Sequence, residues 1–81
     1  MATRSELSVR ASRVEGVLVR LLGVVVRRGF EPVAVTAALA AGGDALDVRL
    51  TVESERSADQ LARHLGNLHD VTRVEVRRRD A

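Results

Sequence analysis

The chain has no cysteine, no lysine, no tryptophan and no tyrosine, and it carries one phenylalanine, Phe30, and one proline, Pro32. Without cysteine there are no disulfides, no thiolate metal ligands and no thiol nucleophile. Without lysine there is no Schiff-base chemistry and no phosphate-loop lysine. A single aromatic ring argues against the modules that stack nucleic-acid bases on aromatic platforms. The longest mainly apolar stretch, Pro32 to Ala41, is too short to span a bilayer. Residues 1–13 are interrupted by Arg4, Glu6, Arg10 and Arg13 and do not read as a secretory signal. The expected location is the cytoplasm.

What is present is arginine. All 13 basic residues are Arg, set against 11 acidic residues, for a net charge of +2. With no Lys or Tyr to titrate first, a small excess of Arg lifts the isoelectric point steeply. The field at neutral pH is nevertheless weak, and nucleic-acid binding does not follow from it. The 81 residues make one domain. Folding at this size buries about 60–65% of the surface of the unfolded chain, a thin margin that association with another chain would widen.

The hydrophobic pattern alternates between periods. Leu7, Val9 and Ala11 share one face of a strand over Glu6–Ala11. Ser12-Arg13-Val14-Glu15 has the form of a capping box. Val14, Val17, Leu18, Leu21, Val24 and Val25 then follow helical spacing, and Gly29 is a natural stop, which predicts a helix over about residues 13–28. Alternation of Val33, Val35, Ala37 and Leu39 predicts a strand, and Pro32 suits the start of an edge strand. Gly42-Gly43-Asp44 marks a turn, and Leu46, Val48, Leu50 and Val52 form the next strand face, so residues 33–52 read as a hairpin. A second capping box, Ser57 to Gln60, opens a helix bearing Ala58, Leu61, Ala62, Leu65 and Leu68. Val71–Arg78 closes the domain as a strand with Thr72, Val74 and Val76 on one face.

The order β-α-β-β-α-β implies an α+β, ferredoxin-like sandwich: a four-stranded antiparallel sheet with both helices on one face, first and third strands central. The halves match, with Val9 to Val35 spanning 26 positions and Val52 to Val76 spanning 24. Residues 1–5 and 79–81 are expected to be tails around a domain over 6–78.

This architecture hosts many functions, so the residues must choose among them. An acylphosphatase-like enzyme needs a phosphate-cradling loop after the first strand plus an Arg and an Asn placed to orient water; Arg10 and Arg13 are nearby, but the only Asn is Asn67, near the end of the second helix. A metal carrier needs soft ligands that are absent. His64 and His69 are five residues apart and do not stack on one helical face, so no metal site and no catalytic residue is expected. Arg77-Arg78-Arg79 reads as a solvated tail rather than a nucleic-acid contact. Dimerisation has better support. Val19, Leu22 and Val26 form a second apolar stripe on the first helix. Gly23 sits mid-helix, where close approach of another backbone would explain it. The outward face of the second strand, Ala34, Thr36, Ala38 and Ala40, is small and uncharged. The expected dimer interface is therefore Val19, Leu22, Gly23, Val26, Ala34, Thr36 and Ala38.

Two stretches, Ala11-Ser12-Arg13-Val14-Glu15-Gly16-Val17-Leu18 and Arg27-Arg28-Gly29-Phe30, resemble the opening of an ACT domain. In that family a strand enters a loop ending in Gly-x-Leu, and the helix that follows closes in Arg-Gly-aromatic. Leu50-Thr51-Val52, Arg56-Ser57, Leu61, Leu65, Leu68, Asp70-Val71 and Val74 are similar to the small regulatory subunit of acetohydroxyacid (acetolactate) synthase, in its short single-domain type. The resemblance implies a non-catalytic chain that binds and activates a large catalytic subunit. That subunit would hold the thiamine diphosphate, Mg²⁺ and FAD, leaving no cofactor here. The pathway implied is branched-chain amino acid biosynthesis, with valine as feedback effector.

The effector site implied by resemblance comprises Arg13, Val14, Glu15, Gly16, Val17, Leu18 and Glu31. Gly16 and Leu18 fit the family pattern, but Arg13 and Glu31 replace an Asn or Asp and a polar amide. If Ser12 and Glu15 cap the helix, they also occupy the N–H groups that would receive a carboxylate. Weak or absent valine feedback is the resulting expectation. Two alternatives stand beside it: an ACT amino-acid sensor serving another enzyme, and an Arg-rich nucleic-acid-binding domain.

Overall fold

In the computed structural model, which describes residues 2–80, the chain runs β1 (Thr3–Ser12), α1 (Val17–Arg27), β2 (Glu31–Leu39), β3 (Ala45–Ser54), α2 (Ala58–Gly66) and β4 (Val71–Asp80). The strands form one antiparallel sheet in the order β2-β3-β1-β4. This is the expected sandwich, with β1 and β3 central and β2 and β4 at the edges.

The core lies between the sheet and the helices. Leu7, Val9 and Ala11 of β1 and Val48, Leu50 and Val52 of β3 meet Leu21 and Val25 of α1 and Leu61 and Leu65 of α2. Phe30, the single aromatic, is buried in the turn after α1. Both central strands therefore supply the alternation that the sequence displays, one face buried and one open.

Three local expectations fail. First, α1 starts at Val17 rather than residue 13. Gly16 is its N-cap, in the left-handed region at φ 76°, and no side chain caps the helix. Ser12 instead ends β1 opposite Ala45 and donates its N–H to the Asp70 carbonyl at 2.7 Å. Long-range pairing has outweighed a local capping signature. Second, Thr72 does not share the core face of β4. A register shift opposite Arg10 and Ala11 buries Val71 and turns Thr72 out, where its hydroxyl donates to the Arg10 carbonyl.

Third, most of the expected tails are strand. β1 begins at Thr3, Ser5 is buried, and β4 continues through Arg77, Arg78 and Arg79 to Asp80. The Arg79 guanidinium reaches the Asp59 carboxylate on α2. The extreme residues of those tails, Met1 and Ala81, lie outside the described residues.

Candidate functional site

The loop between β1 and α1 is held from two sides. Arg13 donates its N–H to the Asp44 carbonyl at 3.1 Å and its guanidinium to the Gly43 carbonyl at 3.2 Å, fixing the loop to the β2–β3 turn. On the other side Arg20 donates to the Glu15 carbonyl at 3.1 Å and to the Asp70 carboxylate at 2.7 Å. The positive φ of Gly16 lets the chain turn into the helix, and the Arg20 guanidinium covers that glycine so closely that a Cβ there would come within 3.3 Å of it.

Because Ser12 and Glu15 do not cap α1, the first helical turn keeps its donors. Val17 N–H bonds the Val14 carbonyl and Arg20 N–H the Gly16 carbonyl. The Leu18 and Val19 N–H groups have no acceptor among the described residues. No acidic residue stands in that turn, since Glu15 precedes the cap. The obstruction expected from a capping box is absent. Val17 is buried and Leu18 packs on the core, so these two serve the fold, while Arg13, Val14, Glu15 and Gly16 are exposed.

Glu31 is not part of this cluster within one chain. It opens β2 opposite Glu53, whereas Ser12 and Leu39 lie at the other end of the sheet opposite Ala45 and Leu46. A strand of this length separates the two ends by about 25 Å. One chain therefore carries the two halves of the expected effector site at opposite ends.

The expected partner face is open. Val19 is 75% exposed and Val26 59%, while Leu22 packs partly on the core. Beside them large apolar residues of β2 are also uncovered: Val33, Val35 and Leu39 are 41–52% exposed. Alternation sets these three on the core side of the sheet; Val35 and Leu39 do lie opposite Leu50 and Leu46 there, whereas Val33 falls in the register shift between Pro32 and Ala34, and α1 leaves all three uncovered. Ala34, Thr36 and Ala38 face the opposite, helix-free side beside Thr51, Arg49 and Asp47. The Arg27 guanidinium of the same chain lies over Gly23, 3.2 Å from where a Cβ would sit.

The helix-free face is a charge lattice. Arg4 pairs with Glu53, Arg10 with Asp47, and Glu75 with both Arg73 and Arg77. Arg10 grips Asp47 through two N–H donors at 2.8 and 3.1 Å. That hydrogen bonding holds the Asp47 carboxyl below its ordinary pKa, and the same contact raises that of Arg10. The Arg77–Arg79 segment is thus a paired strand end rather than a free basic tail. Among the described residues no group of three His, Asp or Glu side chains could hold a metal ion, and no helix is long and apolar enough to cross a membrane.

Arg20, Asp70 and Gly43, which shape the loop, were missed in the sequence because they come from three separate connections and share no spacing. The uncovered valines of β2 were missed because alternation reveals a face but not whether a helix reaches it.

Residues 13–74 match the ACT domain family, and the chain belongs to it. It is a small ligand-sensing regulatory domain of a kind that is in general non-catalytic. No curated protein matches the sequence. Among solved structures, it is similar to the ACT domain from GTP pyrophosphokinase of Chlorobium tepidum, with a TM-score of 0.75 at 15% identity, covering 94% of this chain and 99% of that one. It is also similar to an ACT domain protein from Streptococcus pneumoniae, with a TM-score of 0.73 at 12% identity over 94% and 91% of the two chains. A homoserine dehydrogenase from Thiobacillus denitrificans matches with a TM-score of 0.71 at 20% identity, over 94% of this chain but 17% of the enzyme. At these identities the likeness concerns the fold.

Proposed function

We propose that this chain is a non-catalytic regulatory subunit of acetolactate (acetohydroxyacid) synthase that binds and activates the catalytic subunit. The observation that carries the reading is the joint spacing of Arg13-Val14-Glu15-Gly16-Val17-Leu18 and Arg27-Arg28-Gly29-Phe30 with the second-half residues Leu50-Thr51-Val52, Arg56-Ser57 and Asp70-Val71. The uncovered valines of α1 and β2 are consistent with a chain that works by contact. Thiamine diphosphate, Mg²⁺ and FAD belong, in this reading, to the catalytic partner. Activation requires that the chain bind the competent state of that partner better than the incompetent one.

Two copies would pair through α1 and the β2 edge. Antiparallel pairing of two β2 strands sets the start of one beside the end of the other. Glu31 of the second copy then approaches the Arg13–Gly16 loop of the first, and the two halves of the effector site meet. The free N–H groups of Leu18 and Val19 suit a carboxylate there. Arg13 lacks an amide oxygen to receive an ammonium group, and its guanidinium is engaged by the Gly43 carbonyl. Weak valine feedback is the consequence.

The deciding experiment is an acetolactate assay of the catalytic subunit from the same source, with and without this chain, and with and without valine. The proposal expects activation with little valine inhibition. Strong inhibition would overturn the account of Arg13 and Glu31. No activation would remove the synthase assignment and leave an ACT sensor serving another enzyme.

A further inference from the structure

A polar cavity opens near the end of the domain opposite the β1–α1 loop. It has a volume of about 190 Å³ and is lined by Arg27, Arg28, Arg56, Gln60 and His64. Among the described residues no carboxylate lines it. Arg4, Arg10, Arg20, Arg73, Arg77 and Arg79 each pair with an acidic side chain. The guanidinium groups of Arg27, Arg28 and Arg56 donate to no acceptor among the described residues, and all three residues border this one cavity. The nearest acid in the first turn of α2, Asp59, is taken by Arg79.

Arg56 is held in place by the fold. The buried Ser54 hydroxyl donates to the Gly29 carbonyl at 2.8 Å and accepts the Arg56 N–H at 3.0 Å. This bridge ties the end of β3 to the turn after α1. Gly29 is left-handed at φ 87°, and the Arg56 side chain crosses it so closely that a Cβ there would stand 3.0 Å from the guanidinium Nε. Arg27 ends α1 and Arg28 caps it. Gln60 and His64 stand one turn apart on α2 and close the far wall.

The charge balance is one-sided. The C-terminal end of α1 contributes about half a negative charge, and the N-terminal end of α2 about half a positive one, so the dipoles cancel. Three arginine side chains remain, all bordering one cavity with no acid in its lining. Gathering them without a counter-charge is unfavourable, and an anion relieves it. Guanidinium forks match the paired oxygens of a phosphate, and the wholly polar lining leaves nothing to receive an apolar side chain.

We propose that Arg27, Arg28 and Arg56 form a binding site for a phosphate group, free or esterified to a small molecule. The site lies apart from the effector loop within the chain and is independent of the synthase reading.

The test is a ³¹P NMR titration of the full chain at about 150 mM salt with inorganic phosphate, diphosphate and glycerol phosphate, alongside thermal melts. Saturable binding of at least one ligand is expected, with a raised melting temperature. R56Q and R28Q should each weaken it by about tenfold. R49Q, which removes from the helix-free face an arginine with no ion pair among the described residues, should leave it unchanged. Tighter binding of the ester than of phosphate would assign the site to a phosphorylated small molecule; equal binding would assign it to the oxyanion itself. Either supports the site. No saturable binding of any of the three, or equal loss in R49Q and R56Q, would overturn it.

Discussion

Arg20, in the first turn of α1, donates to the Asp70 carboxylate 2.7 Å away and so joins the loop before α1 to the turn before β4. The same guanidinium holds the Glu15 carbonyl. The loop that carries Arg13 and Gly16 therefore has its shape set by residues distant in sequence. Both partners are partly solvated, so R20Q should cost less than about 1 kcal/mol of stability. Its local effect should be larger: faster amide exchange at Ser12 and Val17, whose N–H groups are bonded within this loop network. Unchanged exchange at both would show that the loop holds its form without Arg20.

The uncovered valines make a prediction about mass. In sedimentation the wild-type chain should run at about twice its 8.8 kDa. V26E and V35E should each return it to the single-chain mass while leaving the circular dichroism spectrum unchanged, since both side chains are already exposed. A wild-type chain sedimenting at 8.8 kDa would remove the dimer.

Asp47 gives a pH dependence with a defined sign. Its folded pKa is lowered by the hydrogen bonds from Arg10. The contribution is present above the unfolded pKa of about 3.9 and is lost as the pH falls through the folded value. D47N should thus be slightly less stable than wild type at about pH 7, with the difference closing in acid. High salt should shrink the neutral-pH gap, because the pair is exposed. A gap that persists below the folded pKa would point to packing instead of charge. Denaturant unfolding at several pH values reads both.

Ser54 is the buried joint between β3, Gly29 and Arg56. S54A leaves the Arg56 N–H and the Gly29 carbonyl without this partner and should cost about 1–3 kcal/mol. A loss of only a few tenths would mean that solvent replaces the hydroxyl freely.

The periodic features were legible. Leu7-Val9-Ala11 and Val48-Leu50-Val52 alternate because each central strand has one face on the core, and Leu21, Val25, Leu61 and Leu65 repeat because two helices cover that face. The start of α1 was not legible. Ser12 and Glu15 have the right spacing for a cap, but Ser12 is committed to β1, and the left-handed Gly16 marks the true entry. The strand ends were hidden for a related reason. Ser5 continues the buried stripe of β1 as a small polar residue, and Arg79 reads as solvated until Asp59 of α2 comes beside it. The candidate sites depend on such meetings. Nothing in the spacing of Arg27, Arg28 and Arg56 announces that one turn and one strand end bring them to a single cavity.

The two edges of the sheet are unlike. β4 presents Arg73, Glu75, Arg77 and Arg78, and its register against β1 breaks twice. β2 carries no charge from Pro32 to Leu39, and its proline and single register shift are confined to its first residues, Pro32 to Ala34. Charges and irregularities discourage strand addition, and a bare edge invites it. A sheet with one inviting edge and one guarded edge can join another copy of itself only once. Were two β2 strands to meet, only guarded edges would remain at the rims, and no further copy could add. In such a pair the distribution of arginine between two strands would separate closed assembly from an open-ended fibre.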